Sequence, residues 1–320
     1  MESLTTLAQI AYTVIGPIVV LVGAGYLIGR RVPAAAEVLA KIMLYVLIPV
    51  FVFQNIILSS LGGRECGLTI LFSAFVLAIL LAATWGISRL RRHDAALRGA
   101  FINSTILYNS ANFAVPVMAL AFAFDPATKA HAVAIQVIVA ACQGFAAYTL
   151  GALIAAGGSG PLRHTMVKVF RLPMIYALAV AMILLHLGVD AGTLEKATVL
   201  WQPITLICGA YVPVALMTLG AQMACVRLLR APVDLVLSVV LRLVIGPLAG
   251  FALVKGMGLE GLLAQVLIIG VAGPSAVAGV VVAIEFRNRR ADFASSAIFL
   301  STLAAGLTVP AVIFFVRTCF

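Results

Sequence analysis

Charge is what this sequence has least of. Asp, Glu, Lys and Arg make up 10% of its 320 residues, against 63% apolar. A water-soluble domain of this length devotes about a quarter of its residues to charge. Acidic side chains are the rarer sign, 11 against 21 Lys and Arg. Glu37, Asp94, Asp234, Glu285 and Asp292 stand at or near the ends of apolar runs, which argues against a proton relay through a buried carboxylate. Cysteine is also sparse: Cys66, Cys142, Cys208, Cys225 and Cys319 show no CxxC or Cys/His spacing, and His93, His131, His164 and His186 are scattered, so no metal centre is expected. HExxH, GxSxG and paired intramembrane aspartates are missing, which disfavours an intramembrane enzyme. No ATP-binding motif and no long soluble segment is present, so a self-contained ATP-driven pump and a signalling receptor are both disfavoured. The net charge of +10 does not point to nucleic acid, because aromatic residues are not interleaved with the basic ones.

What the sequence has in abundance is apolar runs of about membrane length. They fall near 8–29, 35–57, 66–88, 99–124, 131–155, 173–189, 200–224, 232–254, 262–285 and 293–316. A helix of about twenty residues rises about 30 Å, enough to cross the hydrocarbon core. Ten transmembrane helices are therefore expected, in an all-α membrane protein. The run at 173–189 is short and is expected to borrow from Phe170 and from Val189 onward.

Lys and Arg then set the orientation. The segments after the odd-numbered runs carry fifteen of them, from Arg30 and Arg31 to Arg289 and Arg290, and the other side carries Arg64, Lys129, Lys196, Lys255 and Arg317. By the positive-inside rule both termini face out of the cytoplasm. The start of the chain reads as a retained helix rather than a cleaved signal peptide, because its positive charges follow the apolar core. Lys41 is expected to snorkel, and Gln54 and Asn55 to sit at the interface.

Prolines recur at about half the chain length. Pro49 in the second run matches Pro213 in the seventh, and Pro116 in the fourth matches Pro274 in the ninth. Five spans per half is an odd number, so the second copy must insert upside down. This predicts a first repeat over 1–155 and an inverted repeat over 156–320, a pattern frequent in secondary transporters.

The fourth run contains Asn109-Ser110-Ala111-Asn112-Phe113-Ala114-Val115-Pro116, poor helix and costly in lipid. It is expected to unwind near 109–115 and restart at Pro116, leaving the N–H groups of a second half-helix turned inward. Gly273-Pro274-Ser275 in the ninth run is expected to break likewise. Free N–H groups at a helix start carry partial positive charge and suit an anion. Asn109, Ser110, Asn112, Pro116, Gly273, Pro274 and Ser275 are thus candidate binding residues. Gln143, near the middle of the fifth run, joins them or makes a helix–helix hydrogen bond. Ser301 and Thr302 are expected to bond back to their own helix. Arg242 lies about 14 Å into the eighth run and has three readings: a snorkelling anchor, a holder of carbonyls at a helix break, or an attractor of an anionic solute.

Together, the stretches at 39–49, 109–116, 219–222, 242–247, 273–274 and 301–303 resemble the auxin efflux carrier family over nearly the whole chain. The resemblance implies scaffold helices 1, 2, 6 and 7, and transport helices 3–5 and 8–10. It implies crossing of helices 4 and 9 at their prolines, elevator-like movement, and a small organic anion such as a carboxylate as substrate. The bile acid:sodium symporter family shares this architecture and supplies the alternative, a sodium-coupled uptake carrier. No cofactor is expected. Sodium coupling is left open, as is efflux driven by the membrane potential, worth about 2.3 kcal/mol per charge per 100 mV. The expected location is the cytoplasmic (inner) membrane, with the lipid bilayer as the constant partner. An apolar scaffold face suits a homodimer as well as lipid.

Overall fold

The computed structural model describes residues 8–59, 61–156, 173–226 and 233–320. In chain order its helices are α1 (Ala8–Arg31), α2 (Ala35–Leu58), α3 (Gly63–Leu90), α4a (Ala95–Ile106), α4b (Ser110–Ala121), α5 (Pro126–Ala155), α6 (Pro173–His186), α7 (Thr198–Ala224), α8 (Val233–Gly256), α9a (Gly261–Val271), α9b (Val277–Glu285) and α10 (Ala291–Cys319). A short helix, Ala191–Glu195, lies between α6 and α7. Among the described residues there is no strand, only an isolated bridge between Tyr108 and Ser275. The protein is therefore all-α, and α1, α2, α3, α5, α7, α8 and α10 are each long and apolar enough to cross a membrane.

Prolines shape several of these helices. Of five wide π turns among the described residues, four, over Ala11–Ile15, Met43–Leu47, Ser110–Ala114 and Leu241–Ile245, end two residues before a proline, namely Pro17, Pro49, Pro116 and Pro247; the fifth, Ala147–Gly151, has no proline at that spacing after it. Proline has no N–H to donate and its ring crowds the carbonyl four residues back; widening the ladder by one residue relieves that crowding. Pro213, the partner expected for Pro49, instead sits inside the continuous α7.

Two expectations need correction here. The helix at 173 does not extend past His186: Gly188 takes φ of +78°, and the Val189 N–H turns back to the Leu184 carbonyl, which stops the helix. Phe170 lies outside the described residues. Gln54 and Asn55 are buried rather than interfacial, because Gln54 Nε2 donates to Thr205 Oγ1 on α7 (3.0 Å) and Asn55 Nδ2 donates to the Phe51 carbonyl. Lys41 is exposed and pairs with Glu37 one turn earlier.

Packing gathers the helices into two sets. α1 lies along α7, α6 along α2, and α2 also meets α7. Small residues bring α1 and α7 together: Gly25 faces the Met217 backbone, Gly29 faces Ala221, and Gly220 faces the Val22 carbonyl. In the other set, α3 packs on α4a, α5 and α8, while α9a packs on α5, α8 and α10. The sets meet where α2 faces α5 and where α7 faces the first turn of α4b.

Candidate functional site

The site is built from two helix interruptions that cross. α4a ends at Ile106 and α9a at Val271. Beyond them, the segments 107–109 and 272–276 leave the helical path and pass each other antiparallel at Tyr108 and Ser275. The Asn109 N–H donates to the Pro274 carbonyl (2.8 Å), and the Ala276 N–H donates to the Leu107 carbonyl (2.9 Å). These two bonds satisfy backbone groups that a broken helix would otherwise leave bare in an apolar interior.

The first interruption lies earlier than 109–115, and the helix restarts at Ser110 rather than at Pro116. The reason is Asn109. Its Oδ1 accepts the Asn112 N–H (3.1 Å), a standard N-cap interaction that starts a helix at the next residue. The π turn over Ser110–Ala114 then absorbs Pro116 inside the resumed helix. The second interruption contains Gly273 and Pro274, as expected, and its helix resumes at Val277.

A cavity of about 200 Å³ opens beside the crossing. Its walls are Leu44 and Ile48 of α2, residues 107–112 of the first interruption and its restart, Ala140 to Tyr148 of α5, Met174 of α6, and Ala276 to Ala278 at the start of α9b. Asn109, Ser110, Asn112 and Gln143 line it. Pro116, Gly273, Pro274 and Ser275 do not. Pro116 is buried within α4b. Ser275 faces away: its Oγ donates to the Ser104 carbonyl (2.6 Å), and its N–H donates to Ser301 Oγ (3.0 Å). Gly273 and Pro274 form the turn that carries the Pro274 carbonyl to Asn109. Ser301 Oγ also bonds back to the Ile298 carbonyl, as expected of it, whereas Thr302, expected to do the same, has no partner for its Oγ1 among the described residues.

Gln143 lines the cavity, and its Oε1 accepts the Tyr108 N–H (3.2 Å), which ties α5 to the unwound segment rather than to a helix. Among the described residues, Asn109 Nδ2, Asn112 Oδ1 and the Tyr108 hydroxyl have no hydrogen-bond partner. Unpaired buried polar atoms also occur away from the cavity, among them those of Gln136, Ser88 and Thr69, so it is their place beside the two helix starts that sets this group apart.

The charges of the half-helices are sorted across the crossing. The first turns of α4b and α9b, the partially positive ends, line the cavity. The partially negative ends of α4a and α9a face Arg242 instead. This side chain is fully buried; Nη1 donates to the Thr105 carbonyl (2.9 Å) and Nη2 to the Val271 carbonyl. The guanidinium also stacks over the Tyr108 ring, 4.7 Å from its centre. Of the three sequence readings for Arg242, the structure supports the one in which it holds carbonyls at a helix break. It does not line the cavity.

Sequence reasoning missed Tyr108, whose place immediately before Asn109 and Ser110 was the available signal. It also missed Tyr211, whose hydroxyl donates to the Ala111 carbonyl (2.9 Å) while its ring stacks on Phe51 (3.9 Å between centres). No local pattern could have placed α7 against the first turn of α4b.

Residues 161–313 match the family model described as "Membrane transport protein". That family is one of transporters rather than of enzymes, and together with the long apolar helices the match indicates a membrane transporter. It supports the resemblance to the auxin efflux carriers. No curated protein matches the chain.

Proposed function

We propose that the protein is a secondary transporter that moves a small organic anion, a carboxylate, across the cytoplasmic (inner) membrane by elevator-type alternating access. The observation that carries this reading is the cavity at the crossing. Two partially positive helix starts line a space of about 200 Å³ together with Asn109, Ser110, Asn112 and Gln143, and among the described residues nothing acidic lines it. A carboxylate there would accept from Asn109 and from first-turn N–H groups.

In this reading the chain makes ten crossings, with α4a–α4b and α9a–α9b counted as one each and both termini outside. The two halves form an inverted repeat. The bridge pairs Tyr108 with Ser275 at nearly the spacing that separates Pro49 from Pro213, which supports that register. The set of α1, α2, α6 and α7 is the scaffold, and the remaining helices slide against it as the transport part.

Thermal stability of the detergent-purified protein, measured against a panel of small mono- and dicarboxylates, tests the proposal. A ligand that binds only the folded state raises the melting temperature as its concentration passes its Kd. The expected result is a shift with one or more carboxylates, lost in Asn109→Ala, whose unliganded melting temperature also falls because the N-cap, worth about 1 kcal/mol, is gone. A shift with neutral or cationic solutes alone would remove the anion reading.

A further inference from the structure

The geometry points to Arg242 as the fixed counter-charge of the crossing: a tethered cation that occupies the place of a mobile coupling ion and tunes the anion cavity from behind Tyr108. This inference rests on the anion reading of the cavity.

Two half-helices that end face to face present their last carbonyls to one another in an apolar interior. Such an arrangement attracts a cation, and unwound carbonyls at half-helix ends are where transporters hold sodium. Here the position is already filled. One guanidinium donates to Thr105 in the last turn of α4a and to Val271, the last residue of α9a, so a single side chain bridges both ends. Among the described residues no acidic side chain is paired with it, and the carbonyls and the Tyr108 face are its counterparts.

The local sequence is arranged to admit this side chain. Pro247 imposes the π turn Leu241–Ile245, on which Arg242 stands. Gly246 lies one turn on, and a Cβ there would come within 2.5 Å of Nη2. An alanine at 246 would therefore push the guanidinium off the Val271 carbonyl.

Tyr108 links this charge to the cavity: its ring lies under the guanidinium, and the residue belongs to the cavity wall, whereas Arg242 does not. The positive field therefore acts on a bound anion from one residue away, and the ligand never touches the charge. Arg242 is a positioning residue: it aligns both half-helices and supplies long-range attraction.

The test compares Arg242→Lys, which keeps the charge, with Arg242→Gln, which keeps a hydrogen-bond donor and loses the charge. Carboxylate binding to the unmodified protein is expected to be unchanged when sodium is replaced by choline. Arg242→Gln is expected to bind the carboxylate about tenfold more weakly, the effect of one charge at about 10 Å in a protein interior of intermediate dielectric. Arg242→Lys is expected to retain most of the affinity. Millimolar guanidinium is expected to raise the melting temperature of Arg242→Ala and not that of the unmodified protein.

Equal affinity in Arg242→Gln and the unmodified protein, or sodium-dependent binding in the unmodified protein, overturns the proposal. If the unmodified protein binds no carboxylate at all, the anion reading fails, and the guanidinium arm still decides whether a cation belongs at this position. If Arg242→Ala yields no folded protein, the Lys and Gln variants decide by themselves.

Discussion

The contact between α1 and α7 is built on glycines and the contact between α2 and α5 on larger side chains, and the two differ in what lies between the backbones. Along α1 and α7 there is nothing. A Cβ added at Gly25 would fall 2.0 Å from the Met217 carbonyl oxygen, and one added at Gly220 would fall 2.0 Å from that of Val22. Between α2 and α5 lies the cavity of about 200 Å³. In lipid, apolar side chains gain little by leaving one hydrocarbon for another, so close backbone packing is what holds two helices together. By that standard α1 and α7 are the more tightly held pair, and α2 and α5 the looser one. Under the alternating-access reading proposed above, the first contact would stay together and the second would give way.

The largest effect is expected where the lock is broken. Gly25→Val or Gly220→Val should cost at least about 3 kcal/mol, because the clash is with backbone and no rotamer can relieve it. Size-exclusion chromatography should show loss of the monodisperse species. Gly23, one turn-face away on α1, has open space where its Cβ would go. Gly23→Ala should be neutral or stabilising by about 0.5–1 kcal/mol through helix propensity. If the Gly23 and Gly25 variants behaved alike, close backbone approach would not be what holds α1 against α7.

A smaller effect is expected at the link between the two helix sets. Tyr211 on α7 donates to the Ala111 carbonyl on α4b, with Phe51 of α2 stacked behind it. Tyr211→Phe removes one neutral hydrogen bond, worth about 1 kcal/mol, and keeps the stack. The melting temperature should fall slightly and carboxylate affinity should hold. In proteoliposomes the transport rate should hold or rise, since the link must part if the sets slide. Loss of binding in Tyr211→Phe would instead make this hydroxyl part of the ligand site.

How much of this was legible in the sequence depended on range. Hydropathy alone located the long helices, because about twenty apolar residues leave few alternatives. The two interruptions were visible too, since Asn109, Ser110 and Asn112 together, and Gly273 with Pro274, are poor helix. The position of the first interruption was not. The proline rule drew attention to Pro116, whereas an N-cap bond by Asn109 and a π turn decided where the helix restarts. The partition of the polar residues was also hidden. Ser275 and Asn109 look equivalent in sequence, yet Ser275 is turned to Ser104 and Ser301, while Asn109 lines the cavity. Side-chain direction at a crossing is set by which strands pair, and that is long-range information.

The smallest effect should come from the proline that looks most important in the sequence. The crossing is held by Asn109 to Pro274, by Ala276 to Leu107 and by Tyr108 to Gln143, and none of these bonds involves Pro116. Replacing Pro116 restores an N–H that can reach the Asn112 carbonyl, which lets the π turn tighten toward an α turn. That change occurs downstream of the Asn109 cap. Carboxylate affinity in Pro116→Ala should therefore stay within about twofold, a change of about 0.4 kcal/mol, and the melting temperature should hold or rise. A loss as deep as that of Asn109→Ala would mean that the π turn, rather than the crossing, sets the cavity. The fixed part of the site would then be α4b alone.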